Sequence, residues 1–370
     1  MTKYKQMLST ITDDATLTME LVDKEMPKPE ADEIVVRVDA TPINPSDHGV
    51  MFGAADVGSS ETKDGKLVAP IPKQAMGRMK GRLGQALPVG NEGAGEVVAA
   101  GDSDYAQSLL GKTVAVMGGG MYAQYRCLKA AMALPLNPGN TAKQGASSFV
   151  NPLTALSMVE TMRMEGHSAL VHTAAASNLG QMLNRICKAD GVDLVNIVRR
   201  EEQANLLKDM GAKYVINSSA DSFMKDLTDA IDETGATLAF DATGGGTLAS
   251  DILTAMEMAA ARTPGAYSIY GSIHHKQVYL YGSLDMNVTT LTRGYGMAWG
   301  VGGWLLPNFL AKAGKEVGAR LRKRVADELT TTFASHYSHE ISLEEALQSD
   351  VVKSYNAKKT GEKYLILPQK

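Results

Sequence analysis

From about residue 168 to residue 284 the chain repeats one pattern, an apolar strand followed by an amphipathic helix, and that repetition leaves few folds open. The candidate strands are SALVHTAA, DLVNIVR, KYVINS, TLAFDAT, GAYSIYGS and QVYLYGSL. Apolar strands alternating with helices are the mark of a parallel sheet covered on both faces. Six of them match what a doubly wound dinucleotide-binding sheet requires. The helix after the first strand can be checked by spacing: Leu179, Met182, Leu183, Ile186 and Cys187 recur at i, i+3, i+4, i+7 and i+8, which is one apolar face. The next helix, EEQANLLKDMG, opens on acidic residues and has Gly211 just past its end, as the helix dipole and a left-handed cap favour.

Before about residue 150 the texture differs. LTMELVDKEMP, EIVVRVDATPIN, GAGEVVAAGD, KTVAVMG and AQYRCL read as short strands punctuated by Pro and Gly. After the repeating region come a helical segment around residues 303 to 330, then HEISLEEAL and the strand EKYLILP. At 370 residues the chain exceeds what one core organises, so two domains are expected. Residues 54 to 88 show little periodicity and read either as a solvated insertion or as a lid or wall over an active site. The net charge of -4 argues against a general attraction to nucleic acid or anionic membrane. No apolar run approaches the roughly 20 residues of a membrane span, and MTKYKQMLSTITDD lacks the apolar core of a signal peptide, so a cytoplasmic location is expected. Cys127 and Cys187, the two cysteines, allow neither a disulfide framework nor a four-cysteine zinc site.

Between Ala169 and Val198 lies a strand, turn, helix and strand whose turn reads TAAASNLGQ. Small residues in such a turn let the backbone approach a pyrophosphate, whose charge then sits on the helix N-terminus. Here Ala174, Ser177 and Gly180 stand at the spacing AxxSxxG, with a hydroxyl where a second Gly is commonest. The end of the second strand selects the nucleotide: an acid there accepts from a ribose 2'-hydroxyl, and cations pair with a 2'-phosphate. This chain has Arg199 and Arg200, and no acid before Glu201, which predicts NADPH.

Several motifs then fall in one order: EIVVRVDATPINPSD, GNEGAGEVVAAG, GKTVAVMGGGMYAQY, NPLTALSMVE, the nucleotide turn and FDATGGG. The ordered set resembles the medium-chain dehydrogenase/reductase superfamily, and within it the zinc-independent NADPH:quinone oxidoreductase branch with its enoyl reductase relatives. The resemblance implies an α/β chain: a GroES-like, mostly-β catalytic domain over residues 1–150, completed by about 320–370, and a Rossmann domain with a doubly wound parallel sheet over 151–319, with a cleft for the nicotinamide. It places Asn44 and Thr154 beside the nicotinamide and its ribose, and Ser177, Asn178, Leu179 and Gly180 at the pyrophosphate. Thr243, Gly244, Tyr270 and Gly271, at the ends of later strands, complete the cofactor site. Asn44 also suits a turn before Pro45, Thr154 a helix-start cap, and Asp47 a structural role at nearby amides.

Zinc-dependent relatives carry a Cys near Pro45 or Ser46, a His at Asn91 and a Cys near Asn151, and this chain has none of these donors. Glu92 alone cannot hold a metal. His274, His275, His336 and His339 offer a remote grouping that reads better as solvated surface, so no metal is expected. Without a metal the hydride acceptor must already be electrophilic, a quinone or an α,β-unsaturated carbonyl compound. Enoyl thioester reductases carry a Tyr proton donor shortly after the NPSD-like motif, where this chain reads HGVMFGAAD. Asn44, Tyr122 and Tyr270 are then the candidate catalytic residues, with His48 as a further donor. Rival readings are an enoyl thioester (acyl-CoA) reductase, a non-catalytic NADPH-binding redox sensor, and a scaffolding subunit. QVYLYGSLDM reads as a sheet edge that pairs across a two-fold axis in a homodimer.

Overall fold

The computed structural model describes residues 3–263 and 268–370. It divides into two units, Met1–Val150 with Arg322–Lys370, and Asn151–Leu321.

In the first unit the strand Glu33–Pro42 is buried along most of its length, through Ile34, Val35, Val36, Val38 and Ala40. Such a strand needs partners on both sides, and it runs antiparallel to Glu92–Ala100, Tyr125–Lys129 and the C-terminal strand Tyr364–Ile366. The strands Ala133–Pro135, Thr113–Met117 and His339–Ile341 complete this seven-stranded sheet. Strand crossing is close at Gly95, where a Cβ would stand 1.7 Å from the Arg37 carbonyl oxygen, so no side chain fits. A second sheet of five strands is built on the hairpin Lys3–Ile11 with Thr16–Glu25.

That second sheet corrects the reading of residues 54 to 88 as a solvated insertion. Lys66–Pro70 pairs antiparallel with Thr16–Glu25, Glu61–Lys63 pairs with Lys66–Pro70, and Leu87–Pro88 pairs with Lys3–Ile11. Leu67, Ala69, Ile71 and Ala75 belong to the unit's apolar core. Residues 54 to 60, 64, 65 and 71 to 86 lie outside these strands.

The second unit has a six-stranded, wholly parallel sheet in the spatial order Tyr214–Asn217, Asp193–Val198, Ala169–His172, Leu238–Asp241, Lys276–Leu280, Trp299–Gly303. Numbered along the chain this is 3-2-1-4-5-6, the doubly wound order of a Rossmann fold. The helix Asn178–Asp190 starts on the Ser177 cap and ends at Gly191 in the left-handed conformation, φ 66°. Helices Phe223–Thr234 and Leu248–Ala260 contribute Leu227, Ile231, Ile252 and Leu253 to a core shared with Val171, Val195 and Val278. The helical segment Leu306–Asp327 is broken at Gly314. The α/β class and the pairing of a GroES-like with a Rossmann unit are as expected from the sequence.

Two strand assignments are corrected. Of GAYSIYGS, residues 265–267 lie outside the described residues, and Ser268–Ser272 form a turn that precedes the fifth strand and not a strand. The sixth strand is Trp299–Gly303, so QVYLYGSLDM is not the sheet edge; its Lys276–Leu280 portion is interior, between the fourth and sixth strands. Asp285–Thr289 turns away to pair with Gly244–Gly246. Among the described residues no helix is long and apolar enough to cross a membrane.

Candidate active site

The nucleotide turn of the second unit follows His172, the last residue of the first strand. Ala174 takes a left-handed φ of 50°, where Gly is the usual choice; an L-residue there costs about 1 kcal/mol. Ser177 caps the next helix, its Oγ accepting from the Gly180 amide at 3.1 Å. At Gly180 a Cβ would come within 2.1 Å of the Ala175 carbonyl oxygen, so only Gly lets the helix start this close to the turn. The expected positions Ser177, Asn178, Leu179 and Gly180 therefore form one helix N-terminus, the arrangement that receives phosphate. Thr154 sits in the second turn of the helix Val150–Met164 and is not its cap, which corrects that part of the reading.

Thr243 and Gly244 lie just past the fourth strand and are fixed by Asp241, which accepts from both amides, at 2.8 and 3.1 Å, and from Thr173 Oγ1 at 2.6 Å. Tyr270 and Gly271 are not at a strand end. Tyr270 is 69% exposed in the Ser268–Ser272 turn, and the residues past the fifth strand are Tyr281 and Gly282. With Ser283, Trp304, Leu305 and Asn308 these line a cavity of about 410 Å³. Tyr281 OH lies 2.7 Å from His172 Nε2, and the two rings are stacked with centroids 5.8 Å apart. Neither His172 nor Tyr281 was singled out from the sequence.

His172 is fully buried, and burial holds its pKa down at about 3. Between pH 6.5 and 3 the unfolded chain binds a proton here that the folded chain does not, so this residue lowers stability as pH falls. The slope reaches about 1.4 kcal/mol per pH unit. His172→Gln should be less stable than wild type at pH 7, with the difference shrinking towards pH 5; urea midpoints at the two pH values check this, and a constant difference contradicts it.

Arg199 and Arg200 follow the second strand. Their main-chain amides donate to Gln203 Oε1 at 3.1 and 3.2 Å, which fixes the backbone at the strand end. Both side chains are exposed, and among the described residues neither forms an ion pair.

The first unit places a buried polar cluster after the strand Glu33–Pro42. Glu92, with no exposure, accepts at Oε1 from Asn44 Nδ2 (2.8 Å) and at Oε2 from the Phe149 and Val150 amides (2.8 and 3.0 Å). Burial pushes its pKa up, while Lys363 and these donors pull it down. Asp47 accepts from the Asn44 and Asn91 amides at 2.7 and 2.8 Å, the structural role expected for it; burial raises its pKa to about 7. Lys363, which sequence reasoning missed, donates to Ser147 Oγ at 2.7 Å and is lowered by burial to about 8. Its only signal is a cation opening the apolar strand YLI.

Two catalytic candidates have their polar atoms engaged within this unit. Tyr122 is fully buried in the unit's apolar core, donates to the Pro42 carbonyl at 3.2 Å, and is held well above its ordinary pKa by burial first and then by Asp47, so its hydroxyl is already engaged within the core. Asn44 spends its side-chain amide on Glu92 and caps the Pro45–Asp47 turn, which makes it a positioning residue. His48 packs edge-on against Phe52 and is lowered to about 4, first by burial, so it is neutral at pH 7.

The residues at the zinc positions do not fit zinc. Asn91 Nδ2 donates to Ser46 Oγ at 3.2 Å, so two of the positions satisfy each other, and Glu92 is occupied by three donors. Neither a thiolate nor an imidazole stands at Pro45, Ser46, Asn91 or Asn151. Among the described residues no group of three or more His, Cys, Asp or Glu could hold a metal ion.

Residues 179–298 match the family of zinc-binding dehydrogenases. Prostaglandin reductase-3 of Mus musculus is 34% identical over 143 residues, 38% of this chain and 37% of that protein. The mitochondrial enoyl-[acyl-carrier-protein] reductase of Caenorhabditis elegans is 28% identical over 198 residues, 51% of this chain and 50% of that protein. The chain thus spans between a third and a half of the length of these curated relatives. A crystal structure from Mesorhizobium loti, of a protein assigned as an NADPH:quinone reductase, is similar over 100% of both chains, with a TM-score of 0.74 and 27% identity. The family match is confined to the nucleotide-binding unit, the structural likeness runs over the full length, and both agree with the resemblance to the medium-chain dehydrogenase/reductase superfamily expected from the sequence.

Proposed function

We propose that the protein is an NADPH-dependent, zinc-free oxidoreductase that reduces a quinone or an α,β-unsaturated carbonyl compound. The observation that carries the reading is the pair of exposed guanidinium groups, Arg199 and Arg200, without an ion pair among the described residues, at the strand end that faces an adenosine 2'-substituent in folds of this type. Bound NADPH supplies the hydride. The protein's own part is to seat the pyrophosphate on the helix that begins at Asn178, to pair Arg199 and Arg200 with the 2'-phosphate, and to keep Thr243 and Gly244 rigid through Asp241. The hydroquinone monoanion or enolate left after hydride transfer then takes one proton, which water supplies.

NADPH oxidation against a panel of quinones, enones and acyl thioester alkenes tests the reading. Turnover with quinones or enones supports it. Turnover confined to acyl thioesters replaces it with an enoyl reductase, and binding of NADPH without any turnover replaces it with a redox sensor. The substitutions at the zinc positions give a second expectation: purified protein carries no stoichiometric zinc by elemental analysis and keeps its activity in chelator. Zinc lost together with activity contradicts this.

The same reading includes a homodimer. The sixth strand leaves one sheet edge open, and Met286, Val288 and Met297 nearby in sequence are 81%, 81% and 78% exposed. Light scattering should give twice the chain mass of 39.4 kDa; a monomer mass at micromolar concentration contradicts the pairing.

A further inference from the structure

We propose that the segment Lys73–Arg82 recognises an anionic group, a phosphate or carboxylate, on the acceptor; the inference rests on the reductase reading and names the acceptor's chemical class. Between Gly65 and Asn91 the chain has five cations, Lys66, Lys73, Arg78, Lys80 and Arg82, and no acid, although its net charge is -4. A run of like charge this long repels itself unless something of opposite sign meets it.

The structure fixes these cations in place. Lys73–Ala75, Met76–Met79 and Lys80–Arg82 are consecutive helical turns. Ala75 is buried, and Met76, Met79 and Leu83 pack on the apolar core that contains Ile11, Met51 and Phe52. That inward stripe turns Lys73, Arg78 and Lys80 to solvent. The neighbouring cations are already neutralised, Lys63 by Glu61 at 2.9 Å and Lys66 by Glu20 at 2.6 Å. Among the described residues Lys73, Arg78 and Lys80 have no such partner.

Arg82 ties the segment to the candidate site. Its guanidinium donates to the Val50 carbonyl at 2.5 Å, to Ser9 Oγ at 2.7 Å and to the Gly49 carbonyl at 3.3 Å, all neutral acceptors. Its Nε is buried without a partner. Gly49 and Val50 belong to the helix His48–Phe52, which follows directly on Asn44–Asp47. The nearest acidic turn in sequence pairing, at Asp13 and Asp14 beyond the Ile11–Gly84 contact, forms no ion pair with the segment among the described residues. Three cations without an ion pair among the described residues thus stand on a short arm that Arg82 braces against the helix that leads out of the candidate site. An acceptor bearing one or two negative charges gains from them, and a neutral acceptor does not.

Equilibrium dialysis of the full chain with anthraquinone-2-sulfonate and with neutral 2-(hydroxymethyl)anthraquinone tests this without needing turnover. The double change Arg78→Glu with Lys80→Glu should weaken the sulfonate by about tenfold, since each exposed ion contact contributes modestly and reversal removes both attractions. The charge-keeping pair Arg78→Lys with Lys80→Arg should retain sulfonate binding, which separates charge from folding. Raising the salt should weaken the sulfonate in wild type more than in the reversed variant. Equal losses for both probes, or an unchanged sulfonate constant, overturn the proposal. A loss of NADPH affinity in the reversed variant with the sulfonate unchanged also overturns it, and gives the cations to the cofactor. Failure of the reductase reading shows separately, as absent NADPH consumption with neutral quinones in wild type.

Discussion

Glu92→Ala should destabilise the first unit by about 3–5 kcal/mol, because three buried donors lose their acceptor at once and each unsatisfied group costs roughly 1–3 kcal/mol. The donors are Asn44 Nδ2 and the amides of Phe149 and Val150. The Ala side chain also leaves a cavity where the carboxylate stood, with no exposure to solvent through which water could readily enter. Against typical domain stabilities of about 5–15 kcal/mol this is a large fraction. Glu92→Gln keeps an oxygen for the two amides but presents an NH2 to Asn44, so it should cost less, about 1–2 kcal/mol. Urea midpoints that order wild type, Gln and Ala in that sequence support the account. An Ala variant as stable as wild type shows that the burial of the carboxylate, which pushes its pKa up, already costs as much as its hydrogen bonds return.

Arg199→Ala with Arg200→Ala should weaken NADPH at least tenfold and leave NADH within a factor of about three. A charge-assisted contact contributes roughly 1.5 to 3 kcal/mol when sheltered, and less when exposed, as both arginines are in the free protein. Two such contacts still exceed the 1.4 kcal/mol that a tenfold change represents. The backbone at this point is held by Gln203 Oε1 through main-chain amides, so removing the side chains leaves the strand end in place. NADH has no 2'-phosphate and gains nothing from either guanidinium. Dissociation constants for both nucleotides at two ionic strengths decide it: NADPH should lose both affinity and salt sensitivity in the variant. Equal weakening of both nucleotides contradicts the assignment and makes the arginines structural.

The parallel sheet was legible because its interior strands are apolar on both faces, as in Ala169–His172 and Asp193–Val198. The sixth strand was not: WGVGG, at the open edge, is three-fifths glycine and half-exposed, so neither burial nor β-branching marks it. The fifth was displaced by a near-repeat. SIYGS at 268–272 and YLYGS at 279–283 look alike in sequence, and only tertiary burial separates the exposed Tyr270 from Tyr281, which reaches His172. Residues 61 to 70 hid their strands because the strand that Lys66–Pro70 pairs with, Thr16–Glu25, lies about fifty residues away in sequence, and Glu61–Lys63 pairs only onto Lys66–Pro70. In the nucleotide turn the local sequence was enough, since Ser177 and Gly180 act through the helix start itself. The partners of Tyr122 and Asn44, Pro42 and Glu92, were not legible because they are brought by the fold and leave no local trace.

The central claim is a metal-free transfer of hydride from NADPH to an electrophilic acceptor. Its most direct measurement is the loss of reduced-nicotinamide absorbance with a quinone acceptor, using protein dialysed against chelator, with NADPH and with NADH. The account predicts sustained turnover after dialysis and a kcat/KM for NADPH at least tenfold above that for NADH. Turnover that appears only when zinc is returned, or an equal kcat/KM for the two cofactors, contradicts it.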